Sequence, residues 1–193
     1  MQKTRLGIFA SGNGTNAIGL ITHFKNHPTI EVACVVSNRS DAPVVKRVEM
    51  LAVPCIVIDN EKANDAHYLI SLCKREQLDL IVLAGYLRQI PAEFIVQYPD
   101  KIINIHPSLL PKYGGAGMFG DHVHRAVLLN NEPTSGITIH LVTEEYDKGR
   151  ILAQFTQPIA EGTTIEQLKE SIHLLEQIYF PLVIEKSILN GLL

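Results

Sequence analysis

The sequence predicts an α/β fold: a mostly parallel sheet flanked by helices, an antiparallel C-terminal strand portion and a long C-terminal helix. Three observations carry this. Runs that are apolar all round, such as "RLGIFA" (5–10) and "LDLIVLAG" (78–85), read as strands buried on both faces, the mark of a parallel sheet. Helical stretches separate these runs, as crossover connections require. Further on, "SGITIHLV" (135–142) and "GRILAQFTQPI" (149–159) flank the tight segment "TEEYDKG", which reads as a hairpin.

Each element follows in order. After the first strand, "SGNGTN" (11–16) is a turn that feeds a helix through about residue 26. "EVACVVS" (31–37) is the second strand, followed by a helical stretch near 43–52 and the short strand "CIVID" (55–59). A helix near 62–76 precedes 78–85, and a short helix begins after Pro91. The β-branched run Lys101–His106 is a strand that Pro107 stops. Proline and glycine break the pattern over 107–121, then a helix runs to about Leu129. In the last helix, Thr164 with Gln167 makes a capping box at the start. Its apolar stripe is Ile165, Leu168, Ile172, Leu175 and Tyr179, and Glu176 lies beside it.

Composition limits the function classes. With 193 residues, 46% of them apolar and 19% charged, the chain suits one globular domain with a real core. A net charge of −3 leaves no electrostatic footprint for nucleic acid. No apolar stretch approaches the roughly 20 residues that span a bilayer. The start "MQKTRLGIFASGNG" is too short in apolar residues for a signal peptide. Cys34, Cys55 and Cys73 are odd in number and lack CxxC spacing, so they read as reduced packing residues of a cytoplasmic protein.

Four features could carry chemistry. Glycines in "SGNGTN", after a first strand and opening a helix, let backbone N–H groups approach an anion; the alternative is a plain tight turn. The spacing fits neither a dinucleotide fingerprint nor an NTP loop. Asn104 and His106, two apart on a strand, share a face at its C-terminal end, where open α/β sheets bind ligands. An amide there can donate to a developing oxyanion, and an imidazole can move a proton near neutral pH. Asp147 is a turn former unless the fold brings it to His106, where its charge would favour imidazolium. His122 and His124 could suggest a metal, yet residues two apart on a helix do not share a face. Glu176, beside a core-facing stripe, needs a partner or a ligand.

Taken in order, "SGNGTN", "VLAGYLR", "NIHPSLLPKY", "HRAVL", "GITIHLV", "DKG", "ILAQ" and a late Glu before "YFP" resemble the phosphoribosylglycinamide formyltransferases. These are folate-dependent formyl-transfer enzymes of purine synthesis, and the resemblance runs from Leu6 to about Ile184. It implies a single Rossmann-like formyltransferase domain over 1–193. A phosphate-binding half would cover about 1–100, and a catalytic and folate-binding half about 101–193. It further implies 10-formyltetrahydrofolate as co-substrate, small-molecule substrates only, no metal, no membrane and no nucleic acid. Asn104, His106 and Asp147 match the catalytic positions, with a protonated His106 whose pKa Asp147 raises. Gly14, Thr15 and Asn16 match the 5′-phosphate site, and Glu176 the carboxylate at the glycinamide end. Leu87, Arg88, Gln89 and Ile90 match the segment around the pterin, with Val142 and Asn104 in the same pocket. Lys62 falls where the family often has an arginine near the folate tail.

One departure stands out. Where a short "PG" link is expected after "LLPKY", this chain has the longer "GGAGMFGDHVH". A methionyl-tRNA formyltransferase would carry a further C-terminal domain and a basic surface. A formyltetrahydrofolate deformylase would usually carry an N-terminal regulatory domain and transfer to water. A non-catalytic nucleotide-binding module would give no reason for Asn104, His106 and Asp147 together.

Overall fold

The computed structural model describes residues 3–192. Among them are the strands β1 (Thr4–Phe9), β2 (Ile30–Ser37), β3 (Cys55–Val57), β4 (Leu80–Leu83), β5 (Ile102–His106), β6 (Thr134–Leu141) and β7 (Ile151–Pro158). They form one mixed sheet in the order β3-β2-β1-β4-β5-β6-β7. The α/β class and its antiparallel C-terminal portion are as the sequence predicts. The chain divides into two compact units, one running through Ile103 and the other spanning Asn104–Leu192.

In the first unit β1 is central and pairs parallel with β2 and with β4, while β2 pairs parallel with β3. Leu6, Ile8 and Phe9 of β1 are buried, as are Ile81 and Val82 of β4, which accounts for their all-apolar runs. Because β2 and β3 lie to one side of β1 and β4 to the other, the strand order reverses at β1. In open α/β sheets ligands bind outside the C-terminal strand ends at such a switch point. Cys34 and Cys73 are buried, and burial pushes both thiols up to about 12, so they act as packing residues.

Several local boundaries differ from the sequence reading: the helix expected near 43–52 ends at Glu49, and the strand expected over 55–59 ends at Val57. The stretch expected as one helix over 62–76 is two, α3 (Asn60–Asn64) and α4 (Ala66–Arg75). Asp59 and Asp65 each act as an N-cap, accepting from the N–H groups of Lys62 and Tyr68, so a new helix starts at the second aspartate. The strand expected over 78–85 ends at Leu83, two residues before Gly85 turns the chain at φ 74°.

In the second unit β6 and β7 form the antiparallel hairpin, and a register shift between Ile139 and His140 sets one extra residue, Leu152, into β7. Helix α7 (Ile165–Leu189) opens on the expected Thr164–Gln167 capping box and buries Leu168, Ile172, Phe180 and Ile184. Tyr179 stacks on Phe155 of β7 with ring centroids 3.8 Å apart. Gly136 lets the hairpin close: a Cβ there would strike the Phe155 carbonyl oxygen and come within 2.7 Å of Leu109 Cδ2.

Gly136→Ala is expected to lower stability by about 1–3 kcal/mol, the usual cost of overpacking. Urea unfolding followed by circular dichroism checks this, and an unchanged midpoint would mean that the hairpin yields without cost.

Candidate active site

Strand β5 ends at a short, heavily bonded turn. The Thr138 hydroxyl donates to the Ser108 carbonyl (2.7 Å) and accepts from the Leu110 N–H (3.0 Å) and from Gln154 Nε2 (2.9 Å). Gln154 Nε2 also donates to the Leu110 carbonyl at 2.9 Å. A buried turn must satisfy its backbone polar groups. Here β6 and β7 supply the partners, and the strand end that carries His106 is fixed in consequence.

His106 is 4% exposed. Its Nε2 lies 2.7 Å from the Tyr113 carbonyl, which can only accept, so Nε2 carries the hydrogen and the neutral ring leaves Nδ1 unprotonated. Nδ1 lies 3.7 Å from Asp147 Oδ2, and that same oxygen accepts the Gly115 N–H at 2.8 Å. The hairpin turn therefore reaches His106, as the catalytic reading required. The expected charge state does not hold. Burial lowers the His106 pKa below its ordinary value, outweighing the upward pull of Asp147 and of the Tyr113 carbonyl. The resting imidazole is thus favoured neutral. Burial also pushes the Asp147 carboxyl up, but the His140 ring, the Gly115 N–H and His106 together hold it below the usual range.

Asn104, two residues before His106, is held by His140, a residue that the sequence reading missed. His140 Nδ1 donates to the Leu141 carbonyl at 2.8 Å, which leaves Nε2 facing Asn104 and Asp147. Asn104 Nδ2 lies 3.1 Å from that nitrogen, and Asp147 Oδ1 lies 3.5 Å from it, so one ring contacts both side chains. The signal was present in "GITIHL". Thr138 and His140 are polar residues at alternate positions of a strand whose residues from Ser135 to Leu141 are all buried.

At the switch point of the first unit, Gly14 opens α1 (Thr15–Phe24) at φ 71° and supplies no side-chain cap, and no acidic residue lies in the first turn. Thr15 and Asn16 follow it on the helix. That leaves a helix N-terminus suited to an anion. Gly14 is also a packing requirement, because a Cβ there would meet the Val44 side chain of α2 (Pro43–Glu49). Arg47 of α2 donates to the Asn13 carbonyl at 2.7 Å. The turn is tied to 85–90 by Ser11, whose N–H donates to the Gly85 carbonyl and whose Oγ accepts the Leu87 N–H at 2.9 Å. Leu87 is 55% exposed, Gln89 is exposed, and Ile90 is buried. Arg88 donates to Asn64 Oδ1 at 2.9 Å. Lys62 of α3 pairs with Asp59 at 3.2 Å.

In the second unit, Val142 is half-buried just past β6. Glu176 of α7 accepts from His173 Nδ1 at 3.2 Å, a partner within its own helix. The two histidines of α6 (Asp121–Leu129) part company as helix geometry demands, with His122 exposed and His124 buried. Among the described residues no group of three or more His, Cys, Asp or Glu is placed to hold a metal ion.

A profile of the formyl transferase family matches residues 4–184, and the chain belongs to that family. Phosphoribosylglycinamide formyltransferase of Bacillus subtilis (strain 168) is 34% identical over 187 residues, covering 94% of this chain and 93% of that protein. The chloroplastic phosphoribosylglycinamide formyltransferase of Arabidopsis thaliana is 34% identical over 189 residues, covering 94% of this chain; the chain spans only 65% of that relative's length. A crystal structure of phosphoribosylglycinamide formyltransferase from Bacillus halodurans superposes with a TM-score of 0.85 at 35% identity, covering 94% of each chain. These matches place the chain in the phosphoribosylglycinamide formyltransferase branch of the family.

Thr138→Val is expected to lower both stability and turnover. The Ser108 carbonyl and the Leu110 N–H would lose their partner inside the protein, at about 1–3 kcal/mol for each buried polar group left unpaired. Thermal unfolding and steady-state rates check this together; a variant as stable and as fast as wild type would show that the turn is held by other means.

Proposed function

We propose that the chain transfers the formyl group of 10-formyltetrahydrofolate to the amine of 5′-phosphoribosylglycinamide, acting as one formyltransferase domain in de novo purine synthesis. The observation that supports this most is the convergence of Asp147 on His106, beside an Asn104 whose amide His140 contacts. Gly14, Thr15 and Asn16 take the substrate's phosphate, and Glu176 takes its glycinamide end. Lys62, Leu87, Arg88, Gln89, Ile90, Asn104 and Val142 contact the folate. The co-substrate is the only one-carbon carrier required, and the chemistry calls for no metal. Free thiols at Cys34, Cys55 and Cys73 suit the reducing cytoplasm.

The mechanism follows from the neutral, buried imidazole. As the substrate amine attacks the formyl carbon, the carbonyl oxygen becomes an oxyanion, which the Asn104 amide meets as a preorganised donor. The amine's proton passes to His106 Nδ1, directly or through a water, and the resulting imidazolium gains the Asp147 carboxylate as counter-charge. The proton then goes to N10 of the folate as the carbon–nitrogen bond breaks, giving the formylated amine and tetrahydrofolate. His106 thus begins and ends neutral, its Nε2–H held by the Tyr113 carbonyl. The decisive assay incubates the protein with 10-formyltetrahydrofolate, with and without phosphoribosylglycinamide. Folate deformylated only when the amine is present supports the reading; equal loss without it would make the enzyme a hydrolase.

Asp147→Asn removes the charge that opposes the effect of burial on His106, so the imidazole pKa falls further. A base that works in its neutral form stays competent to lower pH when its pKa falls. The acid limb of the kcat profile should therefore move to lower pH. Its plateau should drop by roughly a hundredfold, within the range general-base catalysis contributes. A limb that moves to higher pH, or stays put, would mean that Asp147 does not act on His106.

Asn16→Ala, at the second residue of α1, is expected to raise the KM for phosphoribosylglycinamide with little change in the KM for the folate. This position is preferable to Gly14, where any side chain would also disturb Val44. Equal rises in both constants would reassign the turn to plain structure.

A further inference from the structure

The departure from the short "PG" link leaves an unexplained feature next to the catalytic pair. The segment after Pro111 touches both partners: the Tyr113 carbonyl receives the His106 Nε2–H at 2.7 Å, and the Gly115 N–H donates to Asp147 Oδ2 at 2.8 Å. Tyr113 adopts φ 57°, a left-handed conformation that a bulky residue holds only when its surroundings insist. Its own side chain supplies that insistence. The Tyr113 hydroxyl donates to Glu132 Oε1 at 2.8 Å, and Lys112 Nζ reaches the two oxygens of the same carboxylate at 2.8 and 3.2 Å. Glu132 lies between α6 and β6, with its own N–H bonded to the Val127 carbonyl. The Ser108 hydroxyl secures the Lys112 carbonyl at 2.7 Å from the other side.

We propose that Glu132 is a positioning residue for His106: through the Tyr113 side chain it sets the backbone carbonyl that fixes the imidazole tautomer. This rests on the reading of His106 as the base. The logic is that of an outer-shell partner, which acts on a reacting group by orienting what the group binds. With Glu132 gone, the Tyr113 hydroxyl loses the carboxylate that holds the left-handed turn, and the carbonyl, which the Ser108 hydroxyl approaches only at 3.5 Å, can swing away from Nε2. Nδ1, the nitrogen turned towards Asp147, would then share the hydrogen. The ionisable groups that act on His106 come from four elements: Asp147 in the hairpin turn, His140 of β6, Glu176 of α7 and His124 of α6. None of them touches Glu132 in the contacts described, so a response of His106 to this residue runs through Tyr113. The Glu132 carboxyl is held below its usual range by the Lys112 ammonium and the Tyr113 hydroxyl, so the anchor stays charged through the working pH range.

The test reads the imidazole directly. Nitrogen-15 NMR of the whole chain, with the His106 resonance identified by its absence in His106→Gln, is expected to show an Nε2–H tautomer in wild type. In Glu132→Ala, and in the milder Tyr113→Phe, the ring should become a mixture of tautomers and its titration midpoint should fall. Glu132→Gln keeps an acceptor oxygen for the Tyr113 hydroxyl and should restore the wild-type pattern. In steady-state kinetics the same two disruptive variants should lose kcat by roughly ten- to a hundredfold, as misplacing a catalytic group does, with both KM values unchanged. An unaltered tautomer and midpoint in Glu132→Ala, or in Tyr113→Phe should the first variant not fold, overturns the proposal. Because the NMR signal does not depend on turnover, a wild-type protein with no formyl transfer would overturn the functional reading and leave this result standing on its own.

Discussion

The Thr138 hydroxyl is the interaction on which the end of β5 and the turn after it depend. A hydroxyl has one hydrogen to donate and two lone pairs to offer, and all three are used, on Ser108, Leu110 and Gln154. The turn it secures carries a dense load of backbone polar groups out of β5 and into the interior. Water could serve those groups only by entering the site. A side chain from the neighbouring hairpin serves them instead. From there the consequences run outward to the end of β5, to His106 and to the loop that meets both His106 and Asp147.

The burial of His106 also decides the electrostatics. A carboxylate beside an imidazole usually suggests a charged pair, and in water it would be a fair inference. Here desolvation is the larger influence on His106, and the upward pull of the carboxylate does not overcome it. Asp147 is held rather than close: its Oδ2 accepts the Gly115 N–H and stands 3.7 Å from the ring.

Much of this was legible in the amino-acid sequence, for definite reasons. All-apolar strands and a capping box are local patterns, so the parallel strands and the start of α7 could be read directly. Asn104 and His106 were legible because alternation in a strand fixes which side chains share a face. The break at Asp65 was missed because a capping aspartate inside a helical pattern looks like an ordinary surface residue. His140 was missed because its role comes from a partner 36 positions away, and only the fold sets that distance to 3.1 Å. The downward direction of the His106 pKa was beyond reach for another reason. Burial is a property of the finished packing, whereas an aspartate in the motif is visible at once.

The triplet "DKG" shows how one motif can combine unrelated constraints. On the proposed function Asp147 is there for its charge, whereas Gly149 is there because any Cβ would run into the Leu141 carbonyl at the end of β6. In a survey of all single substitutions scored by growth, both positions would look equally intolerant, and the glycine would be taken for part of the chemistry. Scoring cellular abundance alongside growth would separate them. Losses at the glycine would follow disappearance of the protein, while those at the aspartate would arise in protein that is still present.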